Sequence, residues 1–160
     1  MLLKDVLEAN SVKRNTYNSL VRRPPGLPFM KRGLVEGKRG DRYTFTHVIA
    51  LGTMLAFQKM GIEAGDAAEA VDAVYDMLID WAGMFVFTPN DIKVEDHWLT
   101  ISKFADGGLG WASGKEGADT FSAEPAIVKL SVNVAVLANE LWPRTLEIIR
   151  RDRELPAEAV

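Results

Sequence analysis

The sequence predicts an α+β fold, with helices through the first half, then a small antiparallel sheet and a C-terminal helix. Three observations predict it. Apolar residues recur at helical spacing as far as Trp81. Beyond that point the pattern changes to short β-branched or aromatic runs separated by "PND", "ADGG" and "GKEGAD". The chain's 160 residues are 48% hydrophobic, enough to give one ordinary domain, or two small ones, a real core.

Leu3, Val6 and Leu7 share one side of a short helix over residues 2–9. Ser11 is a candidate N-cap for a second helix over 12–22, and two short helices joined by a tight turn make a helix-turn-helix. "RPPGLP" stops the second helix, because proline removes a donor and restricts its neighbour. "LPFMKR" and "DRYTF" then read as the strands of a β-hairpin with "GLVEGKRG" at its tip. Thr46 is expected to cap a helix over 47–60, whose inner face is Val48, Leu51 and Leu55, and Gly61 to end it. Ala67, Val71, Val74, Leu78 and Trp81 form one apolar stripe on a helix over 64–82. "MFVFT", "HWLTISKF", "LGWAS" and "AIVKLS" read as strands. Ser131 is expected to cap a last helix carrying Val134, Leu137, Ala138 and Leu141 on one face, which Pro143 should kink or split. The tail "DRELPAEAV" is expected to fray.

Charge divides the chain. Residues 1–45 carry ten Lys and Arg against four acids, a balance of +6, and the remainder balances at −9. A cationic head would be steered toward a polyanion and the acidic body repelled from it. In helical projection Val12, Thr16, Tyr17, Leu20 and Val21 cluster on one side of the second helix, and Arg14, Asn15, Asn18 and Arg22 on the other. Arg pairs bidentately with guanine and Asn with adenine in the major groove, so the second face is the kit of a recognition helix. A merely solvated face usually mixes both charge signs. Lys13 and Arg23 flank it. Lys31, Arg32, Lys38, Arg39 and Arg42 line the hairpin, where Gly37 and Gly40 would let backbone approach phosphate closely. Tyr43 and Phe45, two apart, would anchor the hairpin on the helical core. The fold expected is therefore an N-terminal winged helix-turn-helix over 1–81, including two longer helices, then a small α+β domain over 82–160 for dimerisation or regulation.

The segment "GDRYTFTHVIALGTMLAFQKMGIEAGDAAEAV" resembles the second half of a MerR-like winged helix-turn-helix. The shared features are Arg42 and Tyr43 at the end of the wing, the spaced aliphatics Val48, Leu51 and Leu55, then Gly61, Ile62 and a helix opening with small and acidic residues. The resemblance covers about residues 1–75. It implies that Arg14, Asn15 and Asn18 meet the major groove and that Arg42 and Tyr43 meet the backbone. The family's long dimerising coiled coil is missing, and so are the cysteine ligands of its metal-sensing branch, which points to a divergent, phage-type relative.

These observations lead to a cytoplasmic, sequence-specific regulator of transcription on double-stranded DNA, paired through its C-terminal half as a homodimer on an inverted repeat. That half holds all four tryptophans. The alternatives are an excisionase-like architectural factor in recombination and a protein-interaction module with a basic docking face. No run of about 18 apolar residues offers a membrane span. No enzyme activity, metal or cofactor is expected. P-loop, GxSxG and HExxH motifs are absent. His47 sits in a helix's first turn, for capping or phosphate contact. Glu95, Asp96 and His97 could make a metal corner, but neighbours on a strand point to alternate faces. "RGD" at 39–41 is read as coincidence. The acidic stripe Asp66, Glu69, Asp72, Asp76 and Asp80 is read as a solvated face, with docking of a basic surface as the functional option.

Overall fold

The fold is described from a computed structural model, over residues 1–34, 42–87, 96–114 and 126–154. Side chains at 84–87 and 153–154 fall outside that description, as do residues 35–41, 88–95 and 115–125. Among the described residues the order is α1 (Leu3–Ala9), α2 (Arg14–Arg22), a 3-10 turn (Pro28–Lys31), α3 (Phe45–Lys59), α4 (Ala64–Ala73), α5 (Tyr75–Phe87), β1 (Trp98–Lys103), β2 (Leu109–Gly114), β3 (Val128–Asn133) and α6 (Val134–Glu154). The α+β class expected from the sequence is the one found.

The junction of α1 and α2 differs in detail from expectation. Ser11 does not cap α2. It takes a left-handed backbone, φ 55°, and closes α1 instead. Its N–H donates to the Glu8 carbonyl at 2.9 Å and the Val12 N–H to the Leu7 carbonyl at 2.8 Å, the paired bonds of a Schellman ending. The same pair of bonds recurs at the end of α3, where Gly61 (φ 93°) and Ile62 donate to Gln58 and Phe57. Helix α2 therefore starts at Arg14, after Lys13.

Neither strand of the expected hairpin is found among the described residues. Pro28 opens a 3-10 turn in place of "LPFMKR", and Phe29 and Met30 within it are buried. Phe45 belongs to α3 and not to a strand. The backbone of Tyr43 pairs with Met1, N–H to carbonyl at 2.8 Å. The cap of α3 is Thr44; Thr46 lies buried inside the helix.

Helix α3 is the axis of the molecule. Every residue from Phe45 to Met54 is buried, so it is enclosed on all sides and is no one-faced amphipathic helix. It touches α1, α4, α5, α6 and β3. The helix expected over 64–82 is broken at Val74 into α4 and α5. Arg32 sits at the break, its Nη1 donating to the Asp72 carbonyl at 2.7 Å. Residues 84–87, expected as a strand, continue α5. A continuous apolar run suits a buried helix as well as a strand, and periodicity alone cannot separate the two.

The sheet is antiparallel with β1 central, in the order β2-β1-β3. In register, Ile101 faces Trp111 on one side and Leu130 on the other, and Thr100 faces Ser131, their hydroxyls 2.7 Å apart. Leu99, Ile101 and Val132 turn inward and are buried. Ser131 lies within β3; the cap of α6 is Asn133, whose Oδ1 accepts from the Ala135 and Val136 N–H groups. Pro143 does not split α6. The carbonyl it leaves without a helical partner is that of Asn139, and both residues are exposed, so water can satisfy it. Val6, Leu20, Leu51, Leu78, Ile101, Val134 and Leu141 belong to one continuous core. Residues 1–81 and 82–160 thus share a core instead of holding one each.

Candidate nucleic-acid interface

Helix α2 turns Tyr17 and Leu20 inward, as its projection predicts, and Val12, ahead of the helix, is half-buried. Thr16 and Val21, expected inside, are exposed. Burial raises the Tyr17 phenol above its ordinary range, so it stays neutral. On the other side Lys13, Arg14, Asn15, Arg22 and Arg23 are exposed and Asn18 is half-buried. Asn15, Asn18, Ser19, Arg22 and Arg23 line one surface groove of about 380 Å³. Ser19 is the member that sequence reasoning missed.

Among the described residues no carboxylate pairs with Lys13, Arg14, Arg22 or Arg23; the pairs present use Arg32 and Arg151. The Arg14 guanidinium lies 5.8 Å from the centre of the Tyr17 ring. No side chain caps the first turn of α2. Its free N–H groups and two cations share one end, an arrangement the helix dipole disfavours by about 0.3–1 kcal/mol per charge and an anion would relieve.

The hairpin residues divide. Lys31 and Arg42 are exposed. Lys38 and Arg39 lie outside the described residues. Arg32 is engaged elsewhere: besides the Asp72 carbonyl, its Nη2 meets the Asp76 carboxylate at 3.0 and 3.1 Å, and the group lies 5.0 Å from the centre of the Tyr75 ring. A phosphate here would compete with the Asp76 carboxylate. Tyr43 is half-buried with its ring edge-on to His47, centroids 5.1 Å apart.

His47 is fully buried, which excludes phosphate contact and leaves the capping role. Its Nδ1 accepts the Thr44 N–H at 3.0 Å. That occupies Nδ1 as an acceptor and puts the ring proton on Nε2, which lies 2.9 Å from the Arg32 carbonyl and 3.2 Å from the Tyr75 hydroxyl. "TFTH" at 44–47 has the spacing of a capping box with His in the Glu position, a signal present in the sequence.

Asp72 and Asp76 of the acidic stripe serve Arg32. Asp66 and Glu69 line a separate groove of about 810 Å³ with Arg23, Pro24 and Gln58. Asp96 and His97 diverge. Asp96 accepts from Asn133 at 2.7 Å, while the His97 ring packs 4.7 Å from that of Trp81, with Nε2 3.0 Å from the Met77 sulfur. Among the described residues no three His, Asp or Glu side chains converge as metal ligands. No helix among them is long and apolar enough to cross a membrane. No family model matches the chain, and no characterised protein or solved structure matches it either.

Proposed function

We propose that this chain binds double-stranded DNA, with the exposed face of α2 in the major groove, and regulates transcription. The observation that carries the reading is a helix face of Arg14, Asn15, Asn18 and Arg22, flanked by Lys13 and Arg23, whose cations pair with no carboxylate among the described residues and of which Asn15, Asn18, Arg22 and Arg23 line a groove. Arg and Asn at this spacing can read base edges, while the flanking cations hold phosphate. Arg42 and Lys31 extend the cationic surface. Arg32 is the member of the set already engaged, its Nη1 and Nη2 bonded at Asp72 and Asp76.

The test is selection of bound duplexes from a random pool, followed by salt titration on the selected site with an acidic polypeptide as competitor. Recovery of a common sequence supports the reading. Binding to the acidic polypeptide in place of any duplex overturns it in favour of a protein-docking face. Replacing Lys38 and Arg39 by alanine should weaken all duplexes alike and reduce the salt slope by roughly one unit per lost phosphate contact.

Pairing on an inverted repeat belongs to the same reading, but it rests on fewer residues than the sequence suggested. Leu99, Ile101, Val134 and Leu141 are spent on the chain's own core, and Trp111, Ile127, Val128 and Val136 remain exposed. A palindromic selected site together with sedimentation as a dimer would support it.

A further inference from the structure

Arg32 and Thr44 flank the basic segment in sequence, and one imidazole touches both. His47 receives the Thr44 N–H on Nδ1, has the Thr44 hydroxyl at 2.9 Å from the same atom, and presents Nε2 to the Arg32 carbonyl. We propose that His47 is a pH-sensitive clasp that holds Arg32 against Thr44 and so fixes the spacing between the two ends of the segment that carries Lys38 and Arg39.

The bond from the Thr44 N–H exists only in one protonation state. A proton on Nδ1 turns the acceptor into a donor facing that N–H, and the bond is lost, leaving the Thr44 hydroxyl, 2.9 Å away, as the ring's one contact with Thr44. The surroundings give an imidazolium little help from any element packed against the ring. The Arg32 guanidinium, from the 3-10 turn side, carries the same sign. Asp72 and Asp76, at the α4–α5 break, are turned to Arg32. Tyr75 offers a phenol that burial has pushed up to about 12, so it stays neutral. The Tyr43 ring stands T-shaped to the imidazole and carries no charge, and the Met1 amino group, bonded to the Tyr43 carbonyl at 3.3 Å, adds a further positive charge. Burial, as the leading cause, holds the imidazole below its ordinary value near 6.5, with the bonds to Arg32 and Thr44 opposing it.

The folded state therefore prefers the neutral ring more than the unfolded chain does. The clasp's stabilisation is complete above about pH 6.5 and is lost as pH falls from there through the lower folded value. Lysine, arginine and phosphate do not change charge in the same way over that interval, apart from the second ionisation of a phosphate monoester near 6. The phosphodiesters of a duplex do not have that ionisation.

The experiment is NMR on the full chain from about pH 8 to about pH 5. The ring nitrogens of His47 should show the Nε2–H form to below the ordinary histidine midpoint. As the ring finally protonates, the protection factor of the Thr44 amide should fall by about tenfold or more, while that of Leu51 holds. In His47→Gln, which keeps a donor and an acceptor but cannot titrate, Thr44 protection should be flat over the same range. An imidazole that titrates at the ordinary value with no change at Thr44 overturns the proposal, as does a pH response that survives in His47→Gln. Should that variant not fold, the wild-type ring shifts and the Thr44 amide decide alone. The clasp stands apart from duplex binding: a chain that binds no duplex at any pH would remove the functional reading and leave this one intact.

Discussion

Arg14 and Asn18 carry the most specific expectation at the scale of single residues. Neither contributes to the core, so alanine at either position should leave the unfolding midpoint unchanged. Each should weaken binding to the selected duplex by about 1–3 kcal/mol, roughly 5- to 150-fold. Fluorescence anisotropy on the selected and a scrambled duplex measures this, and unchanged affinity in both variants would take α2 out of the groove. Ser11 is a second case. It holds a left-handed backbone where α3 uses Gly61 for the same closure. A non-glycine residue in that conformation costs about 1–2 kcal/mol, part of which glycine returns to the flexibility of the unfolded chain. Ser11→Gly should stabilise the fold by about 0.5–1 kcal/mol in urea unfolding. The outward set of α2 was legible in the sequence because helical projection is a local property. The fate of Arg32 was not, and of His47 only the capping role was. Their partners lie 40 to 44 positions away for Arg32 and up to 28 for His47, and no local pattern records who meets whom at that range.

At the scale of elements, the helices and three of the four strands expected after Trp81 were readable and their ends were not. Ser11, Thr46 and Ser131 are each good cap residues, yet the caps are Lys13, Thr44 and Asn133. A hydroxyl or amide near a boundary marks a helix end only to within a turn, and backbone geometry selects among the candidates. The strand expected at 27–32 failed on the proline that opens the 3-10 turn. The packing of elements turns on Gly52. A Cβ there would lie 2.8 Å from Asn10 Oδ1 and 2.8 Å from Leu141 Cδ1. Asn10 is held by two bonds, to the Val6 and Val48 carbonyls at 3.0 and 3.1 Å, and Leu141 is buried, so neither retreats freely. Alanine would gain about 1 kcal/mol of helix propensity and lose about 1–3 to overpacking. Gly52→Ala should therefore be net destabilising, by up to about 2 kcal/mol in the same urea assay. A stabilised variant would show that α6 can slide outward at no cost.

For the whole molecule, buried residues from both halves of the chain join in one core. Helix α6 lies on α1 and α3, with the Phe45 and Trp142 rings 4.8 Å apart and Arg151 bidentate on Glu8 at 2.7 and 2.9 Å. Composition could show that the second half was apolar, but not whether it would cover another copy or its own head. With a division at residue 81, a fragment ending near Asp80 would stand as a DNA-binding unit by itself. It would instead lack the helix that covers α3, and it should show little cooperative unfolding by circular dichroism, while the full chain unfolds in one transition. A folded 1–80 fragment would restore the division at residue 81.

The burial of α3 on every side has a consequence for how the protein is made. A ribosome releases the chain from one end, and α3 emerges well before α6 exists. The 75 positions from Lys59 to Val134 take about 4–15 s to synthesise at roughly 5–20 residues per second. Throughout that interval Val48, Leu51 and Met54 have no finished cover. The nascent chain must wait, with the helix it will enclose on every side open to the solvent and to any chaperone that will hold it, for the last helix to arrive.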